Sequence, residues 1–318
     1  MVSYVIRRLL QSIVVILVVT VMVFFSMRLL PGDPIYMMIN PNQMQYMTQE
    51  QIDQIRHDAG LDRPLPVQYF SWLGGVFKGD LGDSIRTKEP VSGELMIRIP
   101  ITAYMGVIAF AIALVIGIPA GIISAIRRGS WLDTVVTTLA NLGITVPIFW
   151  LGIMLMWLFA VKLNWLPTSG FVSPFDDFWA SIKSIIMPVF CLCIFSVAGN
   201  ARQARSSMLE VLRQDYIRTA WSKGLMERVV IMKHALKNSL IPVVTLVGVG
   251  ITYILGGSVL IEQVFNIPGM GRLAVDSIFL HDYTYVQGIT LVMTVIVVLS
   301  NLLIDISYGW LDPRIRYN

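Results

Sequence analysis

Three histidines (His57, His234, His281) and two cysteines (Cys191, Cys193) are the side chains of this 318-residue chain that could most directly build a hydrolase or a metal site. A zinc hydrolase needs two histidines one helical turn apart with a carboxylate base. An acyl-transfer enzyme needs a serine on a glycine-flanked turn. Neither "HExxH" nor "GxSxG" occurs, and the histidines fall in three separate loops, with His234 on the polar side of an amphipathic stretch. The cysteines lie two apart in an apolar run, project to different sides of a helix, and read as packed or lipid-facing side chains that cannot bridge each other. Nucleotide hydrolysis is also unsupported, because there is no "GxxxxGK[ST]" and no Gly-Lys pair at all to cradle phosphates. A proton-coupled transporter or channel places ionisable groups inside its spans. The candidates for that are Arg28, Glu262 and Asp305, each near a span end, where snorkelling or helix-end pairing accounts for them.

The elements that must position these residues are membrane spans. Hydrophobic residues make up 55% of the chain and charged ones only 14%, against about 25% charged in soluble domains. Six runs reach the roughly 20 residues needed to cross a hydrocarbon core: Leu9–Leu30, Ile101–Ile126, Val135–Val161, Ile185–Ala201, Leu240–Ile261 and Val286–Trp310. The fourth is diluted by Pro188, Gly199 and Asn200. The first is too long for a signal-peptide core and ends in "RLLPGDP", so it reads as an uncleaved anchor. The expected fold is an all-α, polytopic protein with six transmembrane helices.

Fourteen of the twenty-four Lys and Arg residues fall at Arg7 and Arg8, Arg127 and Arg128, residues 202–237, and Arg314 and Arg316. The positive-inside rule puts these segments, and both termini, in the cytoplasm. The net charge of +4 is therefore a signal of topology, and no aromatic-interleaved basic patch points to nucleic acid. Three regions follow: residues 1–30 with the first span, an outer loop over 31–100, and a core over 101–318 that contains an inner loop at 202–240. The outer loop is predicted to be a small ordered cap. Thr48 with Gln51 forms a capping box for a short helix that stops at Gly60, and "GLDRPLP" and "GDLGDS" are turn-rich. Inside the second span, "GIPAG" (Gly117–Gly121) spaces small residues for close helix packing.

The inner loop reads as two amphipathic helices. Met208, Leu209, Leu212, Tyr216, Ile217, Ala220 and Trp221 form one apolar stripe, predicting a helix of about five turns from Ala204 to Trp221. Asp215 with Arg218, and Lys223 with Glu227, are spaced for one-turn ion pairs. After a break at Gly224, Leu225, Val229, Met232, Leu236 and Leu240 make a second stripe. A basic amphipathic helix can lie on anionic lipid. A glycine break, free to adopt φ > 0, instead suits a knob offered to a partner protein. In the fifth span, Gly256 and Gly257 allow bending or close approach at a pathway, with Ser258 available for hydrogen bonding; helix packing is the equal alternative. Phe265, Tyr283 and Tyr285 fit an interfacial aromatic belt, and "NIPGMGRL" an outer turn near a gate.

"YIRTAWSKGL" followed by "KHALKNSLIPVVT" resembles the cytoplasmic coupling loop of ABC importer permeases, specifically the dipeptide, oligopeptide and nickel permease family. "YVIRRLLQSI", "GLDRPLPVQYFSWLGGVFKGDLGDS", "GGSVLIEQVFNIPGMGRL" and "LDPRIRY" extend the resemblance along nearly the whole chain. It implies a type I (MetI-like) permease fold in a bacterial or archaeal inner membrane, and the first-permease subunit of an importer. It also implies a second, similar permease, two nucleotide-binding subunits that bind ATP and Mg, and an outer substrate-binding protein or lipoprotein. The permease itself carries no cofactor. Tyr216, Arg218, Thr219, Ala220, Lys223, Gly224 and Leu225 take the positions that meet the ATPase, and Gly256, Gly257, Ser258 and Glu262 those of a pathway or gate. Arg-Thr-Ala stands where the broader family has Glu-Ala-Ala, which favours the peptide-type subfamily. Peptides are the expected cargo, with nickel complexes, glutathione or oligosaccharides as alternatives.

Overall fold

The computed structural model describes residues 2–28, 47–58, 60–84 and 86–311. The "RLLPGDP" exit of the first span and the C-terminal "LDPRIRY" with Arg314 and Arg316 lie largely or wholly outside them. The described chain is helical: α1 (Val2–Arg28), α2 (Gln49–Asp58), α3 (Leu65–Phe77), α4 (Val91–Ile126), α5 (Trp131–Thr145), α6 (Ile148–Lys162), α7 (Phe178–Leu212), α8 (Asp215–Ser222), α9 (residues 227–239), α10 (Ile241–Val264), α11 (Met270–Phe279) and α12 (Tyr283–Leu311). One isolated bridge, Asp83 to Pro90, is the only β pairing among the described residues.

Helices α1, α4, α7, α10 and α12 are long and apolar enough to cross a bilayer. The third expected span is not one straight helix: α5 and α6 meet at a bend of 104°. The cause is local, since Val146 precedes Pro147 and takes an extended conformation (ψ 125°), as the proline ring disfavours helical geometry one residue upstream.

Helix α7 is the centre of the bundle, touching α4, α5, α6, α10 and the loop helix α9. It runs for 35 residues with Pro188 inside, well past the expected Ile185–Ala201 at both ends. Its start is capped by Asp177, whose Oδ1 accepts from Ala180 N at 2.9 Å. Central position explains its weak apolar signal, because a helix surrounded by protein needs small, closely fitting side chains rather than lipid-facing ones. Ser181, Ser184, Ser196, Ala198, Ala201, Ala204 and Ser207 are all buried on it, as are Cys191 and Cys193.

The tightest seam is between α7 and α4, at "GIPAG". A Cβ on Gly117 would stand 2.7 Å from Val197 O, and one on Gly121 would stand 2.2 Å from Ala201 O. Close packing, as the spacing predicts, is what the small residues permit. Just before them, Ala113–Gly117 forms a π-helical turn. Such turns disrupt the regular carbonyl ladder, and Asn200 Nδ2 donates to Ala113 O at 3.1 Å from across the seam.

The ends of the bundle can be told apart by contact alone. The starts of α4 and α12 meet through Val91, Leu95, Tyr285 and Ile289, so both helices run toward the same far end. There α4 leads into Arg127 and Arg128, and Asp305 of α12 pairs with Arg8 at 3.2 Å and accepts from Tyr4 at its carbonyl. The described basic segments therefore gather at one end, with α8 and α9. At the opposite end Ser84 donates to Asp282 (2.5 Å), bolting the outer loop to the start of α12. The capping box of α2 forms as its sequence predicts: Gln51 Oε1 accepts from Thr48 N at 2.9 Å, and Gly60 follows with φ 65°.

Candidate coupling site and outer clasp

At the basic end the chain makes a knob. The expected five-turn helix from Ala204 to Trp221 does not form, because α7 stops at Leu212 and Gln214 turns extended (ψ 148°) before α8 begins. The two halves of the predicted stripe explain the reversal. Met208, Ile217, Ala220, Val230, Ala235 and Ala125 bury one another in a single cluster, with Leu209 and Leu212 packed against it. Residues 208–212 and 217–220 can touch each other only if the chain folds back between them.

Helix α8 ends at Ser222 with Lys223 as its C-cap, and Gly224 follows with φ 75° and no atom within 4 Å of where its Cβ would be. The glycine is thus required by backbone conformation and not by crowding. Of the residues expected to meet a partner, Tyr216, Arg218, Thr219, Lys223, Gly224 and Leu225 are exposed, while Ala220 lies inward and seats the helix. Trp221 and Met226 extend the exposed apolar surface, with Met226 73% exposed. Tyr216 Oη accepts from Asn238 Nδ2 (2.9 Å), tying α8 to α9. Thr219 Oγ1 donates back to Asp215 O (2.9 Å), and Arg218 pairs loosely with Asp215 at 3.6 Å across largely exposed side chains. Lys223 and Glu227 straddle the Gly224 turn, and among the described residues no ion pair joins them.

Beneath the knob lies an ion pair that helical patterning does not reveal. Asp133, in the first turn of α5, accepts from Arg205 Nε (2.7 Å) and Nη2 (3.0 Å) of α7, from Ser124 Oγ (2.6 Å) of α4, and from Gly129 N (2.9 Å). One carboxylate thus joins three spans next to the cluster that seats α8. Its visible signal is Ser130, which caps α5 three residues ahead of it; its partner, 72 residues away, left none.

The outer end holds the second polar constellation. Glu262 is fully buried near the end of α10. Thr102 Oγ1 of α4 donates to its Oε1 (2.7 Å), and Arg272 N of α11 donates to its Oε2 (2.9 Å). Thr102 in turn accepts from Met270 N (2.9 Å), and a Cβ on Gly269 would fall 2.4 Å from the Glu262 carboxyl carbon. The residue is a clasp binding α4 and α10 to the N-terminus of α11, whose unsatisfied amides suit an anion. Ser258 is buried too, and donates within its own helix to Leu255 O (2.8 Å). Gly257 faces Ile148 and Leu192 at ordinary contact distance, and Gly256 faces open space.

None of those four pathway candidates lines the apolar pocket of about 200 Å³ between α4, α10 and α12. That pocket is lined by Thr102, Gly106 and Phe110 from α4, Ile251, Ile254 and Leu255 from α10, Met270, and Ile296 and Ser300 from α12, among others. The aromatic-belt expectation is also corrected: Phe265 and Tyr285 are buried in the core clusters instead. Arg28 and Asp305 behave as helix-end groups, Arg28 lying over the Phe24 ring at 4.6 Å and donating to Gln68 Oε1 (3.2 Å).

The chain is similar to known proteins along nearly its whole length. Residues 117–317 match the family described as binding-protein-dependent transport system inner membrane component, and residues 1–106 match the N-terminal component of the same system. A putative peptide permease protein of Brucella suis biovar 1 is 44% identical, covering 99% of both chains. The oligopeptide transport system permease protein AppB of Bacillus subtilis is 42% identical and the glutathione transport system permease protein GsiC of Pectobacterium atrosepticum 41%, each covering 100% of both chains. Among solved structures, a chain of the inward-facing MetNI methionine ABC transporter superposes with a TM-score of 0.55 at 17% identity, over 69% of this chain and 96% of that one, which shows a shared fold. With five long apolar spans, a bent helix pair and full-length relatives, the chain belongs to the family of inner-membrane components of binding-protein-dependent transport systems.

Proposed function

We propose that the chain is a permease subunit of an ATP-driven peptide importer, paired with a second, similar permease and driven by two ATPase subunits that dock on α8 and the Gly224 turn. The observation that carries this reading is the knob itself. A short helix and the turn after it, seated through Ile217 and Ala220 in one cluster with residues of α4, α7 and α9, present Tyr216, Trp221, Leu225 and Met226 outward among Arg218 and Lys223. On this reading the basic end is cytoplasmic, in keeping with the positive-inside rule. ATP and Mg belong to the partners, in keeping with the missing phosphate-binding motif. A substrate-binding protein or lipoprotein delivers cargo at the other end. Peptide cargo is supported by the names of the relatives, since permeases for peptides, oligopeptides and glutathione all handle peptide backbones.

The knob converts partner closure into motion of the spans. Displacement of α8 passes through the Met208–Ile217 cluster to α7 and to the end of α4, and the Asp133–Arg205 pair carries α5 with them. Such coupling requires that the partner contact the knob differently in its two states. Arg28, Glu262 and Asp305 each have a protein partner, which supports ATP as the energy source over a proton relay.

The test is Gly224→Val. Uptake of labelled di- and oligopeptides is expected to vanish while membrane insertion and yield stay normal; unchanged uptake overturns the assignment. Co-purification with two ATPases tests the assembly. Competition by nickel complexes or oligosaccharides, but not by peptides, would redirect the choice of cargo.

A further inference from the structure

Helix α3 is apolar on both faces, and only one of them is covered. Its sequence, LPVQYFSWLGGVF, has no charged residue, with Asp62 and Arg63 before it and Lys78 and Asp80 after it. The covered face sits on α1. Tyr69 is buried there, its ring edge-on to Phe24 at 5.4 Å, its hydroxyl sharing a hydrogen bond with Thr20 Oγ1 at 2.9 Å, and Trp72 lies 5.9 Å from Phe24. The other face carries Val67, Phe70, Gly74 and Phe77 at spacings of three, four and three, a helical stripe. Phe70 and Phe77 are 68% and 80% exposed.

Depth identifies what covers that stripe. The apolar stretch of α1 ends at Ser26, and Thr20 lies six residues inside it, about 9 Å along the helix axis. The Tyr69 hydroxyl therefore reaches below the level at which α1 leaves the hydrocarbon. A helix of 13 residues is about 20 Å long, too short to cross a core of about 30 Å, and apolar segments of this length are found in re-entrant or interfacial positions. Arg28, held over Phe24 and against Gln68, marks the polar edge where a guanidinium snorkels to headgroups.

We propose that α3 lies within the bilayer leaflet at the end of the bundle opposite the basic loop, its Val67–Phe70–Phe77 stripe against lipid acyl chains. The outer loop is on this account partly a lipid-embedded element that holds α1 at its membrane exit, and not solely a cap in water.

The test is spin-label accessibility in the full chain, purified with the subunits that accompany it and reconstituted in phosphatidylethanolamine and phosphatidylglycerol. Cys191→Ala and Cys193→Ala remove the native thiols, and labels are placed at Phe70→Cys, Phe77→Cys and, as the water-facing reference, Lys78→Cys. Val67→Cys provides a second site on the stripe should one variant fail to fold. The ratio of oxygen to nickel-chelate collision is expected to be several-fold higher at 67, 70 and 77 than at 78. A ratio equal to that at 78 places the stripe in water and overturns the proposal. Low collision with both reagents and an immobilised spectrum place it against protein, such as the second permease, and overturn it equally.

Discussion

The α4–α7 seam and the turn between α8 and α9 both depend on glycine, for opposite reasons. At the seam Gly121 is required by space, since any side chain would collide with the Ala201 carbonyl. At the turn Gly224 is required by conformation, with φ 75° and nothing nearby. The seam is therefore a place where the fold is stored, and the turn a place where the surface is shaped. Substitutions should separate the two, damaging stability at one and activity at the other.

The largest effect is expected at the seam. Gly121→Leu must drive α4 off α7, at or beyond the upper end of the roughly 1–3 kcal/mol usual for overpacking, and should be read as loss of monodisperse protein on gel filtration. Arg205→Ala comes next. It leaves the Asp133 carboxylate buried with its bidentate partner gone, at a cost of about 3 kcal/mol, the low end for a broken buried pair because Arg205 is part-exposed; a lowered thermal midpoint measures it. If Asp133→Asn combined with Arg205→Ala recovers much of that loss, the pair is a matched element and extends the seam toward the knob. Thr102→Val should cost about 1–3 kcal/mol, since the Glu262 oxygen loses a donor and the Met270 amide its acceptor. Its thermal shift reports whether the outer clasp belongs with the seam. The smallest effect belongs to Gly224→Asn, because asparagine tolerates the left-handed region and has open space there. Peptide uptake near the parent level would show that the turn needs its φ and not its smallness, whereas loss of uptake would mean that a partner approaches the backbone closely.

How far the sequence could be read follows the range of the interactions. The seam was legible because small residues four apart must face the same neighbour, and the knob because a glycine between two stripes has few other uses. The capping box at Thr48 and Gln51 was equally plain, being a three-residue event. Apolarity alone carries no direction, so a run of 27 apolar-rich residues concealed the 104° bend, although Val146–Pro147 stood inside it. The reversal at Arg213–Gln214 was hidden for a related reason: its cause is the burial of Met208 and Ile217 in one cluster with Val230 and Ala235, and a stripe looks the same whether its helix is straight or folded back. Glu262 and Asp133 each find one essential partner, Thr102 and Arg205, 160 and 72 residues away, beyond any pattern within a window. The clasp made by Glu262 was accordingly hidden.

The length of α7 has a consequence for how the knob meets its surroundings. Residues 202–212, the last eleven of the helix, carry it about 16 Å beyond Ala201 along its own axis. Because the chain turns back after Leu212 and Ile217 joins the same cluster as Met208, those last turns of α7 are the post against which α8 is braced. On the proposed function, an arriving ATPase subunit meets the exposed Arg218 and Lys223 on a surface that yields only as far as α7 itself yields.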